Sequence, residues 1–380
     1  MPHRTAVNEP VPIALFVRKL DWGGIERDVT KLAVGLDGGR FAPHVVVFES
    51  GGLRYEEVRQ AGLPILDLEI SSLTSPRTIR SAVRLGNWLL GHHIRLIHAF
   101  DGTIVFTAPL ARLLRVPVIL SSTLGHRDLF EPKTRKQLAF TDRLVDAIVV
   151  NCQAMRRHMI EDYGVTPERT ILSYNGVETA EFFPLEGPKP APVADASLVI
   201  GSVCVLRPEK RMELLIAAFA AVRPIRPGMK LLIVGSGPEL SKLQAEAARL
   251  GVENDCLFLP AVKRVAPYLR AVDIFVSCSS SEAFSNAILE AMACGCCPVG
   301  SRVGGTPELI EDGERGLLFR SGDLQDLSDK LASLISNNEL RRQFASNAAA
   351  FAATTLNMQA ALDRMSRIYR EELDKKGKWN

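Results

Sequence analysis

The sequence lacks the long apolar run that a leader or an anchor needs. Its start, "MPHRTAVNEPVPIALFV", has no extended apolar segment after the first basic residues, and the run from Val11 is too short for a secretory core or a membrane span. A Lys/Arg tract is missing too, and a formal net charge of +3 over 380 residues gives no argument for a nucleic-acid partner. Paired cysteine spacing is absent: seven cysteines, an odd number, fit a reducing cytosol. Cys294, Cys296 and Cys297 raise the question of zinc, but no second cluster or nearby histidine completes a four-ligand set, so they read as small packing residues. There is no internal repeat and no low-complexity segment. The expectation is a cytoplasmic chain that holds no metal.

What is there is an alternation. Hydrophobic residues make up 47% and charged residues 23%, an ordinary globular balance, and the length predicts two domains or three. "PIALFV", "HVVVFE", "LPILDL", "RLIHAF", "VPVILSS" and "DAIVVN" are short apolar runs, most of them separated by helix-like segments. Continuous apolar runs of this length read as strands of a parallel sheet buried on both faces. The rhythm pauses at "FFPLEGPKPAPVADAS", where four prolines lie between Phe183 and Ser197, and this reads as a linker. It restarts with "LVIGSVCVL", "KLLIVG", "CLFLP", "DIFVSC" and "CCPVGS", with "MELLIAAFAAV" and "ELSKLQAEAARLG" as helices between them. Two doubly wound, Rossmann-like α/β domains facing a cleft follow, over residues 1–183 and 184–355. A helix at about 356–376 is expected to pack back onto the first domain. In open sheets of this kind ligands bind beyond the carboxyl ends of the strands, so function belongs in those loops.

One stretch stands out, "SSSEAFSNAILEAMACGCCPVGSRVGG" from Ser279 to Gly305. It reads as interior, yet holds Glu282 and Glu290, and a buried unpaired carboxylate is costly. Ser285 is a natural N-cap for "NAILEAMAC", whose first N–H groups would face the opening and favour an anion. Glu282 precedes that helix and Glu290 lies about one turn in, so both would meet a hydroxyl-bearing ligand that offsets their burial. Downstream, Gly304 and Gly305 allow a tight turn, Thr306 reads as an N-cap and Pro307 as the first helical residue, a second helix start aimed at the same region.

The Glu282-x7-Glu290 pattern, followed by "EAMACG", "VGGTPELI" and "GERGLLF", resembles the donor half of retaining GT-B glycosyltransferases of the family 4 type. "GGIER", "NGVE" at Asn175 to Glu178, "LRPEKRMELLIAAF" and "VGSGPEL" extend the resemblance over nearly the whole chain, most sharply from Gly201 to Phe319. It implies a GT-B fold and a sugar nucleotide, most often uridine diphosphate-linked, as donor. Glu290 would bind the ribose, Glu282 the donor sugar, the amides of Phe284, Ser285 and Asn286 the diphosphate, and Lys210 the diphosphate and leaving group. A fixed cation and helix dipole stabilise the charge that the departing nucleotide gains, so no metal or other cofactor is implied, which suits the missing Asp-x-Asp pair. Gly23 and Gly24 would lie by the diphosphate or acceptor, and Gly235 and Gly237 near the nucleobase. Retaining enzymes of this kind are thought to use the substrate itself, with no protein nucleophile. A saccharide or a lipid-linked acceptor and a role in cell-envelope polysaccharide are implied at family level.

The chain departs from the family at two places. Val205 stands where an arginine usually precedes the lysine by five, leaving Arg207 for that role. "IHAFDG" keeps His98 but has Phe100 in place of a second histidine; His98, Asp101 or His126 takes over, or the position only walls the pocket. Other readings stay open. Gly235-x-Gly237 without a third glycine is also a plain strand-to-helix turn, "LDWGGIER" a helix start, Asn175 and Gly176 a turn or a cleft lining, and Lys210 a solvated helix-start charge. Arg77, Arg80 and Arg84, spaced along one helix beside Ile79 and Val83, and "EPKTRK" at 131–136, form a solvated face or a contact with anionic lipid at the inner membrane surface. The alternatives to transfer are a GT-B nucleotide-sugar-binding protein or epimerase, motivated by Phe100 and Val205, and a nicotinamide dehydrogenase, for which the full glycine fingerprint is missing.

Overall fold

The computed structural model describes residues 9–377, apart from 22, 74 and 186, and only the backbone of 129. The leader reading therefore begins outside the described residues. The chain forms two compact units, Met1–Tyr174 with Ala361–Asn380, and Asn175–Ala360. The division falls at Tyr174 and Asn175, nine residues before the proline-rich break placed after residue 183, and again at Ala361, where 355 stands as the end of the second domain in the sequence reading.

Unit 1 holds seven parallel strands: β1 (Val11–Val17), β2 (Phe41–Val47), β3 (Ile65–Asp67), β4 (Leu96–Phe100), β5 (Val118–Thr123), β6 (Ala147–Val150) and β7 (Thr170–Leu172). Their order is β3-β2-β1-β4-β5-β6-β7. The winding reverses between β1 and β4, where Ile13 pairs with Leu96. Every residue of β4, β5 and β6 is buried, which is why these strands read as unbroken apolar runs. Helix Met358–Asp374 completes this unit from Ala361 onward: Tyr369 and Leu373 are fully buried, and Arg364 donates to the Tyr174 carbonyl at 3.0 Å.

Unit 2 holds six: β8 (Leu198–Val203), β9 (Met229–Val234), β10 (Cys256–Leu259), β11 (Ile274–Ser277), β12 (Cys297–Ser301) and β13 (Leu317–Phe319), in the order β10-β9-β8-β11-β12-β13 and all parallel. Helix Met212–Val222 buries Leu215, Ile216, Phe219 and Val222, at helical spacing, against Ile200, Ile233 and Ile274. Here the winding reverses between β8 and β11, with Ile200 opposite Ile274. Loops leaving the carboxyl ends of two such neighbouring strands diverge to opposite sides and leave a crevice between them. Among the described residues no helix is long and apolar enough to cross a membrane.

Candidate active site

The loops after β8 and β11 carry the charged groups of unit 2. Lys210 ends the short 3-10 turn Pro208–Lys210. Its Nζ donates to Glu282 Oε2 at 2.6 Å, and Ser279 Oγ donates to the same oxygen at 3.2 Å. Both side chains of the pair are mostly buried, 23% and 16% exposed, so the contact offsets desolvation that each would otherwise suffer alone. Ser280 N and Oγ both donate to the Glu209 carbonyl, at 2.8 and 3.2 Å, and this ties the two loops together.

The loop after β12 supports Glu282 from behind. Gly305 N donates to the Ala283 carbonyl at 2.8 Å, and Ser301 Oγ donates to the Ser279 carbonyl at 2.6 Å. Gly304 sits at φ +48°, and a Cβ there would lie 1.6 Å from the Glu282 carbonyl oxygen, so only glycine fits. The loop after β9 packs as closely: a Cβ at Gly235 or Gly237 would lie 1.8 Å from the Cys204 or 2.3 Å from the Leu206 carbonyl oxygen. These two glycines serve backbone approach between neighbouring turns.

Ser285 caps helix Asn286–Ala293, its hydroxyl accepting from Ile288 N at 3.4 Å. Phe284 and Glu290 are each 6% exposed. Asn286 Oδ1 accepts from Asn175 Nδ2 at 2.9 Å, so the turn at Asn175 joins the start of this helix. Lys210, Glu282, Ser285, Asn286 and Asn175 are thus linked through two adjoining loops and one helix start. Arg207 stands apart: its side chain is 61% exposed, and among the described residues its guanidinium reaches only Glu209, at 3.9 Å. Thr306 corrects the N-cap reading. The cap is Gly305, Thr306 is the first residue of a four-residue turn, and its hydroxyl is buried with no hydrogen-bond partner among the described residues. Cys294, Cys296 and Cys297 are buried thiols, and burial pushes Cys294 and Cys297 up to about 12.

Unit 1 gathers a second set beyond β1 and β4. Gly23 caps helix Gly24–Gly35, and the Glu26 carboxylate folds over it. Asp101, at φ +52° directly after β4, is pushed up to about 7 by burial, with the Glu26 charge adding to the rise. His98 is different. It has no exposed surface, and its ring lies between the Tyr369 hydroxyl on Nδ1 at 2.7 Å and Ser122 Oγ on Nε2 at 2.8 Å. Burial lowers it to about 3, so the ring is neutral. The catalytic reading of His98 finds no support in this geometry: both nitrogens are engaged within the core, and Phe100 stacks at 4.3 Å beside it. His126 lies half-buried after β5, its ring 4.8 Å from that of His158. His126, Asp128 and His158 bring ligand atoms within 4.8 Å of one another.

Sequence reasoning missed Ser279, Ser301, Glu26 and His158. Ser279 had a local signal, three residues before Glu282; the others reach their partners only through tertiary packing.

Known proteins are similar to this chain in sequence and in fold. The model for glycosyl transferases group 1 matches residues 188–351, and that for Glycosyltransferase Family 4 matches residues 22–181. N-acetyl-alpha-D-glucosaminyl L-malate synthase of Bacillus anthracis is 30% identical over 220 residues, 56% of this chain. D-inositol 3-phosphate glycosyltransferase of Segniliparus rotundus is 32% identical over 265 residues, 66% of this chain. The chain spans 58% of the length of each of these two relatives. The crystal structure of HepE of Anabaena in complex with UDP and glucose superposes with a TM-score of 0.82 at 23% identity, covering 95% of this chain and 100% of that one. The fold is therefore GT-B. The two models together match well over half of the chain, and the chain belongs to the glycosyltransferases that join a family 4 domain to a group 1 domain.

Proposed function

We propose that the protein transfers a sugar from a nucleoside-diphosphate sugar, uridine diphosphate-linked, to a saccharide or lipid-linked acceptor, with retention of configuration and without a metal in the transfer step. The observation that carries this reading is the Lys210–Glu282 contact beside the Ser285-capped helix start. Glu282 divides its labour. Oε2 accepts from Lys210 and Ser279, while Oε1 has no partner among the described residues and suits a sugar hydroxyl. An ammonium has three protons to donate. One holds Glu282, and two remain for phosphate oxygens, so a donor need not break the pair. As the nucleotide departs, its growing charge meets Lys210 and the amides at the helix start, which are fixed before the reaction begins. Glu290, buried one turn in, would take the ribose hydroxyls. Asp101 and His126 are assigned to the acceptor side. The uridine assignment draws on HepE of Anabaena, and the names of the two relatives add small hydroxylated anions to the acceptors worth testing.

The test is a panel of sugar nucleotides against the full chain, read by calorimetry, then incubation with pooled acceptors and mass analysis. Binding of one uridine diphosphate sugar, release of the diphosphate and a product whose anomeric proton coupling matches that of the donor are expected. Failure of every sugar nucleotide to bind overturns the reading. Val205, 50% exposed where the family has an arginine, favours a second one, a nucleotide-sugar-binding protein or epimerase. Donor binding with no release in any acceptor pool would select it.

The acceptor is proposed to be met at the cytoplasmic face of a membrane. Helix Arg77–Gly91 exposes Ile79 (70%) and Val83 (60%) along one edge, with Arg77, Arg80 and Arg84 beside them, which suits an anionic lipid surface.

A further inference from the structure

We infer that unit 1 carries a zinc-binding site formed by His126, Asp128 and His158, in which the cation pins the loop after β5 to helix Gln153–Glu161. The argument starts at His158. Its Nδ1 meets Asp162 Oδ2 at 2.6 Å, and a carboxylate in that position holds the proton on Nδ1. Nε2 is then a lone pair. It is buried, in a ring only 7% exposed, and has no hydrogen-bond partner among the described residues. A buried imidazole lone pair without a partner is costly, and a carboxylate behind a histidine is the arrangement that orients and strengthens a metal ligand.

The lone pair is not isolated. His126 stands 4.8 Å away, ring to ring, and Asp128 is two residues beyond it on the exposed side of the same loop. The three ligand atoms lie within 4.8 Å of one another. Tetrahedral zinc, bonded at about 2.0–2.2 Å, needs neighbouring ligands about 3.3 Å apart. Asp128 is the exposed member and closes the gap by rotation. Two imidazoles and one carboxylate suit zinc and leave a fourth position for water. The local charge is favourable. Asp128 and Asp162 are acidic, Arg127 is consumed by Asp142 through bonds of 2.5 and 2.8 Å, and Arg135 holds Asp128 only loosely, at 3.6 Å.

The loop that zinc would fix lines a small cavity with Asp101, Ser121, Thr123, Gly125 and Arg127. Its role is to order that wall, and it is independent of the donor reading, whose charged groups lie in unit 2. The test uses the full chain without a histidine tag. Zinc is titrated against a chromophoric chelator, and cobalt is added separately for its visible spectrum. One equivalent per chain is expected, with cobalt bands of a nitrogen and oxygen site. Asp128→Asn, at an exposed position that leaves folding intact, and His126→Ala lower the affinity at least tenfold, and Asp162→Asn by about 10- to 100-fold. His92→Ala, in the separate cluster of His44, Trp88 and His92, leaves it unchanged. Zinc raises the melting temperature of the wild type and not of Asp128→Asn. Absence of saturable binding, or an affinity that neither Asp128→Asn nor His126→Ala changes, overturns the site.

Discussion

Gly304 carries a burden that its neighbours do not. Its φ of +48° suits glycine, and a Cβ would also strike the carbonyl of Glu282. Gly313 separates the two effects, since its φ is +81° but nothing lies within 4 Å of a built Cβ. Gly313→Ala should cost about 1–2 kcal/mol, the price of left-handed backbone alone. Gly304→Ala should cost more and should displace Glu282, so that sugar-nucleotide affinity falls at least tenfold; equal donor affinity in the two variants would detach Glu282 from the donor. Lys210→Ala removes the proton donor that holds Glu282 and should weaken donor binding by about 10- to 100-fold, a charged hydrogen bond's worth. Calorimetry on the folded variants reads both. At this scale the sequence revealed what is local. Ser285 caps its helix because a hydroxyl three residues before a backbone N–H is a sequence fact. The contact between Lys210 and Glu282 spans 72 residues and was not legible; the resemblance gave each residue a role towards the donor and no contact between them. His98 was not legible at all, because its partners Ser122 and Tyr369 come from β5 and from a helix 271 residues away.

Strand β4 joins two groups shifted in opposite directions, and pH exposes the opposition. His98 is lowered to about 3 and His44, on β2, to about 4, first by burial and, for His44, then by His92. Between these values and about 6.5 the unfolded chain takes up protons that the folded one refuses, so both histidines make stability rise with pH. Asp101 is raised to about 7. Between about 4 and 7 the folded chain keeps a proton that the unfolded one releases, so this carboxyl makes stability fall as pH rises. From pH 4.5 to 6 the three terms sum to one net proton, a slope of about 1.4 kcal/mol per pH unit. Asp101→Asn should steepen that slope to about twice the value, and His98→Gln should flatten it towards zero. Urea melts across this window supply the slopes, and unchanged slopes in both variants would mean that neither group titrates with unfolding. Helix Arg77–Gly91 gives a second prediction at this scale. Ile79→Glu with Val83→Glu should abolish sedimentation with vesicles containing anionic lipid and leave binding of a soluble donor intact; sedimentation equal to wild type would show that the exposed stripe is only a solvated face. Elements were the most legible level, since buried parallel strands announce themselves as apolar runs. β7 and β13, three residues each, escaped because they were not read as apolar runs, as the equally short β3 was in "LPILDL". Thr306 was misplaced by one residue because Gly305, which lacks a capping side chain, takes the cap.

The path of the whole chain was less legible, because composition and contact disagree about where one unit ends. The proline-rich segment is a change of composition, whereas the contacts change at Tyr174. Residues from Asn175 onward already belong to unit 2: Val177 N donates to the Leu356 carbonyl, Met358 N donates to the Val177 carbonyl, and the Arg270 guanidinium lies 4.3 Å from the Phe183 ring centre. The chain then returns to unit 1 at Ala361 and completes its core with Leu362, Ile368, Tyr369 and Leu373. Four buried side chains of this size are worth about 6–12 kcal/mol in transfer terms, as much as a domain's entire stability. Ending the chain after Ala360 should therefore unfold unit 1. It leaves the hydrogen bonds at Val177 and the core around Phe219 and Ile274 in place, so unit 2 should stay folded. Tyr369→Phe is the milder form: it strips the His98 Nδ1 of its partner and should cost about 1–3 kcal/mol. Amide hydrogen exchange separates the units directly. In the truncated chain, protection should vanish from β1 to β7 and persist from β8 to β13. If donor binding resides in unit 2 as proposed, sugar-nucleotide affinity should survive to the extent that unit 2 alone supplies it, while transfer stops for want of the acceptor side. Loss of protection in both units together would show instead that the C-terminal helix stabilises the molecule as a single cooperative body.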